Sequence, residues 1–217
     1  LDGLSVITLL ETPLSSVQRG MKAAEDRIIA AAALALLSPV MAAAALAIRL
    51  TSPGPVLFRQ SREGFNCRPF DILKFRTMHA APAAAGEPVV QASRADPRIT
   101  RVGALLRRTS IDELPQLFNV LLGQMSLVGP RPHAPSTRAG GKLFGDVAAS
   151  YAARHNVKPG ITGWAQVRGW RGETTTEDKL IGRLEHDLYY IEHWSIWFDL
   201  YIIARTAITV LTQREAY

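Results

Sequence analysis

Ile28–Ile48 reads IIAAAALALLSPVMAAAALAI, a run with no charged residue. As a straight helix it would extend about 30 Å, enough to cross the hydrocarbon core of a bilayer. Ser38 and Pro39 fall at its middle, where proline removes a backbone donor and crowds the preceding turn. A helix broken at that point is expected. Four arrangements fit such a segment. A kinked helix could span the membrane if neighbours satisfied its freed backbone. A re-entrant helix would enter one leaflet, bend at Ser38-Pro39 and leave on the side it entered, with arms of about 15 Å each. A secretory signal is disfavoured because Lys22 and Arg27 lie too far from the start of the chain, and a buried helix of a soluble protein is the fourth. The re-entrant arrangement is preferred, and it gains if Arg27 and Arg49, which bracket the run, share one aqueous side.

Working outward, residues 1–20 read as a linker or an extension from a missing N-terminal region. Residues 21–50 read as an interfacial and re-entrant membrane helix, entered through the helix-prone RGMKAAEDR. TSPGPV at Thr51–Val56 ends it sharply. Val56–Gln60 and Phe70–Met78 follow as two short strands turning near Glu63-Gly64, a small β-hairpin. The alanine, proline and glycine content of His79–Ser93 predicts a loop. Helices are expected over Arg101–Arg108, Leu114–Leu122 and near Leu143–His155, with loops around a short strand in KPGITGWAQVRGWRGET. Leu180, Leu184, Leu188 and Ile191 share one helical face of Thr176–His193. Trp194–Leu211 carries only Asp199 and Arg205 as charges, which suits a helix in a membrane interface or a core. The fold class is α+β, mostly helical.

The 217 residues are 47% apolar, enough for one ordinary core. A single cysteine, Cys67, excludes an intramolecular disulfide and fits a reducing compartment. The net charge of +6 is not spread evenly: residues 51–110 carry ten basic and four acidic groups, whereas the flanking segments are each balanced. Such an excess serves nucleic acid, an anionic membrane or a phosphate-bearing substrate. No recognisable nucleic-acid module accompanies it, and the aromatics cluster in apolar contexts, so nucleic acid is not expected.

Within Ser110–Gln116, SIDELPQ, two adjacent carboxylates follow the basic pair Arg107-Arg108. Ser110 and Glu113 fit a capping box, but Pro115 would then fall in a helix interior. A helix starting at Asp112 places that proline in the first turn, where it is tolerated. Positive charge and the helix dipole would then keep Asp112 ionised, as a nucleophile or metal ligand requires. Capping and chemistry both remain open from spacing alone. Nearby, GPRP at Gly129–Pro132 fixes Arg131 on a stiff loop, and KFRTM contributes Lys74 and Arg76. Each cation alone is most simply a surface salt bridge. Together they suit a diphosphate, and a carboxylate pair among them invites Mg2+.

The ordered series TSPGPVLFRQ, KFRTM, LRRTSIDELPQLFNVLLGQMSLVGPRP, VKPGITGWAQVRGW and DLYYIEHWSIWFDL closely resembles the bacterial sugar transferases that act on polyprenyl phosphate, the monotopic phosphoglycosyl transferases. The resemblance runs from about Arg19 to Leu211. The GWRGET segment and residues 1–27 look most like the C-terminal catalytic part of large members that make undecaprenyl-diphosphate-glucose. The resemblance implies that residues 51–217 form the catalytic domain. It implies transfer of hexose 1-phosphate, glucose 1-phosphate above all, from a UDP-sugar to undecaprenyl phosphate with release of UMP. Asp112 would carry a covalent phosphosugar and Glu113 would hold Mg2+. Lys74, Arg107 and Arg131 would bind phosphate, with Arg76 a further candidate, and Ser38-Pro39 would mark the break of the re-entrant helix. Further implications are the bacterial inner membrane as partner and location, a cytoplasm-facing catalytic part and, as an assembly to test, a homodimer. Two other readings compete: a polyprenyl-phosphate glycosyltransferase that releases UDP, and a non-enzymatic membrane adaptor that binds polyanions.

Overall fold

The computed structural model describes residues 13–79, 96–133, 138–139, 142–144, 149–170, 172 and 176–212. Its dominant element is α1, Ser16–Thr51. Ser15 opens α1 through a capping box in which its hydroxyl accepts from Gln18 N and its own N–H donates to Gln18 Oε1. The helix begins inside the segment read as a linker, while residues 1–12 lie outside the described part.

The expected break at Ser38-Pro39 does not interrupt the helix. Pro39 has no N–H for the carbonyl of Ala35, four residues back. The Ser38 hydroxyl donates to that same carbonyl at 2.9 Å. The sequence places the cause of the defect and its repair side by side, so the helical assignment runs through both residues.

Both ends of the apolar run pack on the rest of the protein, and its middle does not. Near the N-terminal end, Asp26 is buried and its Oδ1 accepts from Ser126 Oγ and Leu127 N, each at 2.9 Å. Ala30 joins Leu117, Val120 and Val128 in the main core. Near the other end, Ala44 and Ile48 pack with Phe75 and Leu106. Between them Ala35, Leu36, Ser38, Pro39 and Val40 are exposed, Leu36 to 78%. Only 11% of the most apolar stretch of α1 is buried, unlike the mostly buried core helix of a soluble protein.

The hairpin forms as β1, Leu57–Glu63, antiparallel to β2, Pro69–Phe75, in the register Phe58 to Lys74. A 3-10 turn at Phe65–Cys67 joins them. Helix α2 spans Arg101–Arg108 and α3 spans Gln116–Leu121. Strand β3, Ser126–Val128, lies parallel to β6, Gly160–Thr162, a pairing that the sequence reading did not anticipate. Strands β4, Arg138–Ala139, and β5, Lys142–Leu143, make a second small antiparallel pair. The region expected to be helical near Leu143–His155 contains a 3-10 segment, Ala149–Asn156. Short helix α4, Trp164–Val167, follows β6.

Helix α5, Glu177–Glu192, buries Leu180, Leu184 and Ile191 on the expected face. Helix α6, Ile196–Thr212, matches the second expected C-terminal helix. Its Asp199 accepts from Lys22 Nζ at 2.7 Å, Tyr190 OH at 2.8 Å and Trp194 Nε1 at 2.9 Å. This buried carboxylate therefore ties α6 to the root of α1. The loop expected over His79–Ser93 falls almost wholly among residues 80–95, outside the described part.

Candidate active site

Asp112 and Glu113 lie on a 3-10 turn, Ile111–Glu113, and not at the N-terminus of a regular helix as the spacing suggested. Leu114 N donates to the Ile111 carbonyl at 3.1 Å, so that carbonyl never needs the donor that Pro115 lacks. The proline then occupies the cap position of α3. Neither Ser110 nor Pro115 makes a side-chain cap, which removes capping as the account of SIDELPQ. Ser110 enters the turn with φ 56, a left-handed conformation that costs a non-glycine residue about 1 kcal/mol. That conformation turns the chain from α2 so that both carboxylates become buried.

The two carboxylates have different surroundings. Glu113 Oε1 accepts from Lys74 Nζ at 3.0 Å and Arg131 NH2 at 2.6 Å, and Oε2 from Arg131 NH1 at 3.4 Å. Against the cost of burial, Arg131 and Lys74 hold Glu113 well below the usual carboxylate range. Asp112 accepts no hydrogen bond among the described residues. Burial first, and then the Glu113 charge, push its carboxyl up to about 6, opposed by Lys74, Arg107 and Arg131. Glu113 has its Oε1 held by two cations; its neighbour is ionised by about tenfold at pH 7 and has open lone pairs.

Each cation is positioned by its own element. Lys74 sits on β2, whose outer edge is bound by Asn119 of α3: Leu73 N donates to Asn119 Oδ1 at 3.0 Å, and Asn119 Nδ2 donates to the Asp71 carbonyl at 2.8 Å. Arg107 lies on the last turn of α2 and acts on Asp112 through its charge. Arg131 lies on the loop leaving β3. There Gly129 N donates to the Thr162 carbonyl at 2.9 Å, and Gly160 N to the Pro130 carbonyl at 3.0 Å. A Cβ at Gly160 would collide with the Gly129 backbone, so this close approach needs glycine. Arg76 is not brought into the cluster. It is buried beneath the TSPGP turn, where its NH2 donates to the Ser52 carbonyl at 2.8 Å and Ser52 Oγ at 2.9 Å, fastening the C-terminal end of α1.

Behind Arg131 stands a buried network that the sequence reading missed. Arg154 NH2 donates to the Arg131 carbonyl at 2.7 Å and pairs with Asp187 at 2.8 Å, both side chains being almost fully buried. Burial and the charges of Arg154, Arg183 and Arg131 hold His133 far below its ordinary pKa, hence neutral. Its Nδ1 faces Arg154 NH1 and Tyr151 OH, and its Nε2 faces Arg183 NH1; a guanidinium only donates, so the neutral ring accepts from Arg154 in one tautomer and from Arg183 in the other. Arg183 also donates to the carbonyls of Trp170 and Gly172. One signal of this network was available. Arg183 and Asp187 occupy the same stripe of α5 as Leu180, Leu184 and Ile191, where a charged residue needs a buried partner.

A stiff loop, a strand and a helix end thus converge three cations on two unlike carboxylates near one end of an exposed apolar helix, which suits chemistry on a phosphate-bearing substrate at a membrane. The model of the bacterial sugar transferase family matches residues 17–213, and the chain belongs to that family. It is 49% identical, over its whole length, to the UDP-glucose:undecaprenyl-phosphate glucose-1-phosphate transferase of Escherichia coli, of which it covers 46%. It is 51% identical to the undecaprenyl-phosphate glucose phosphotransferase of Komagataeibacter xylinus, with 98% of this chain and 40% of that protein aligned. A UDP-glucose:undecaprenyl-phosphate glucose-1-phosphate transferase of Caulobacter vibrioides is 52% identical over 88% of this chain and 70% of its own length. The chain spans less than half the length of the first two relatives.

Proposed function

We propose that this chain is the catalytic part of an enzyme that moves glucose 1-phosphate from UDP-glucose to undecaprenyl phosphate and releases UMP. The observation that carries the proposal is the division of labour between Asp112 and Glu113: a buried, ionised carboxylate that accepts no hydrogen bond among the described residues stands beside one whose Oε1 is held by Lys74 and Arg131. An Asp112 oxygen would attack the sugar-bearing phosphorus. The bond from that phosphorus to the bridging oxygen breaks, and the electron pair leaves on UMP. A phosphate oxygen of the lipid then attacks the same phosphorus, and Asp112 departs as a carboxylate. Arg107, Arg131 and Lys74 would stabilise the charge on the transferring group. The relatives' names support the substrates.

A magnesium ion fits this donor set as part of a substrate complex. Glu113 Oε1 is shared by two cations, whereas among the described residues Oε2 has one long contact, at 3.4 Å. Mg2+ commonly takes one or two carboxylates and completes its shell with phosphates and water. Glu113 Oε2, with Asp112 beside it, would hold the ion, which would supply charge neutralisation at the diphosphate. The apolar run of α1 would enter and leave the inner membrane from the cytoplasmic face, a reading supported by the packing of both its ends on one body. Intact-mass measurement after incubation with UDP-glucose, without lipid acceptor, tests the covalent step. A gain of one glucose phosphate, mapped to the peptide containing Asp112 and absent in Asp112→Asn, is expected. An unmodified wild-type chain that still releases UMP when lipid is added would sink the two-step scheme.

A further inference from the structure

At the root of α1, away from the Asp112 cluster, two cations meet beside the Asp26 carboxylate. A Cβ added at Gly123 would lie 3.5 Å from Arg27 NH2 and 3.6 Å from Lys158 Nζ, so both groups face the same small notch over the turn after α3. Among the described residues Lys158 makes no hydrogen bond or ion pair. The one recorded bond of Arg27 is a long contact from NH1 to the Ala23 carbonyl, at 3.4 Å. Asp26 is close enough to favour the Lys158 charge. Its Oδ1 is already taken by Ser126 Oγ and Leu127 N, with Lys22 at 3.4 Å. Burial and the neighbouring Arg27 lower the Lys158 pKa. Two like charges brought together on a half-buried surface are a cost that a bound anion would relieve.

Exposed apolar residues adjoin the notch in the chain. Ile28 directly follows Arg27 and is 69% exposed; Leu122 directly precedes Gly123 and is 71% exposed; Phe118, one turn back on α3, is also exposed. Arg27 is the last charge before the apolar run begins. The charged groups that act on Lys158 are Arg27, Asp26 and Lys22, none of which belongs to the Asp112 cluster. A free phosphate would use the cations alone, whereas a molecule with a phosphate head and an acyl tail also suits the apolar run that starts at Ile28.

We propose that Arg27 and Lys158, facing each other across Gly123, bind the headgroup phosphate of an anionic bilayer phospholipid and so fix the depth of α1 at the membrane surface. The proposal rests on the reading that α1 is membrane-embedded. Its test is flotation of the full chain on phosphatidylcholine vesicles with and without phosphatidylglycerol. The proteins compared are wild type, Arg27→Gln, Lys158→Gln, the double variant and the charge-matched control Arg49→Gln/Arg59→Gln.

All five are expected to float on neutral vesicles. Each notch variant should lose its phosphatidylglycerol preference by about tenfold, and the double variant by no more than about twofold further, because a phosphate held by two cations loses its grip when either is removed. The control should keep the preference. If every substitution, the control's included, costs about fivefold independently, the attraction is diffuse and the notch is overturned. Trace polyprenyl phosphate that reproduces the whole preference in neutral vesicles would reassign the notch to the acceptor lipid and overturn the phospholipid assignment. A wild type that floats on neither vesicle would overturn the membrane reading and the notch with it.

Discussion

Replacing Asp112 with asparagine should abolish turnover and at the same time make the protein more stable. Lifting the Asp112 carboxyl from its ordinary 3.8 to about 6 means that the ionised form destabilises the fold by up to about 3 kcal/mol, at about 1.4 kcal/mol per tenfold change in proton affinity. The side chain is only 4% exposed, so solvent screens little of this, although coupling to Glu113 lowers the usable figure to about 1–3 kcal/mol. The folded state holds the proton more tightly than the unfolded chain. Stability contributed by protonated Asp112 is therefore present below about pH 4 and lost as pH rises through about 6. Asparagine removes that loss. Thermal unfolding in one detergent at one scan rate should show Asp112→Asn melting about 3–9 °C above wild type at pH 7.5, with the gap closing near pH 4. A variant that melts at or below wild type at pH 7.5, or a gap independent of pH, would refute the claim that burial of this charge is held against the stability of the fold.

The same carboxyl predicts that single-turnover UMP release falls as pH drops through about 6, since the protonated acid is a poor nucleophile; a rate flat from pH 5 to 8 would contradict this. Asp187→Asn should cost about 3–5 kcal/mol, because it leaves the buried Arg154 guanidinium without its partner. Urea unfolding measures the loss, and a change under 1 kcal/mol would show that the pair is dispensable. Pro39→Ala should keep α1 helical by circular dichroism and shift the membrane run towards spanning. In a Cys67→Ser background, Arg27→Cys and Arg49→Cys should label from the same side with Pro39 present and from opposite sides without it. Same-side labelling in both backgrounds would mean that the proline does not set the topology.

The hairpin, α2 and the amphipathic face of α5 were legible because period, turn residues and caps are local properties. The Asp112-Glu113 pair was legible from the conflict between its capping pattern and Pro115. Two features depend on residues acting in pairs. Pro39 lacks a donor, but Ser38 supplies one to the same carbonyl, so the helix continues through Pro39, where a proline can still bend it. Arg76 was grouped with Lys74 because they are two residues apart on one strand, yet Arg76 turns to Ser52 and Lys74 to Glu113. The expectation that Asp112 sits comfortably ionised considered the nearby cations and not its burial, which raises its pKa. The β3–β6 pair and the support of Arg131 by Arg154 and Asp187 depend on contacts between distant parts of the chain, and local pattern does not encode them.

The central claim is that phosphosugar, and not sugar alone, passes through Asp112. The most direct measurement identifies the nucleotide released by purified protein in detergent with UDP-glucose, undecaprenyl phosphate and Mg2+, beside Asp112→Asn. The account predicts UMP from the wild type and none from the variant. UDP as the product, or UMP released equally by Asp112→Asn, would contradict it.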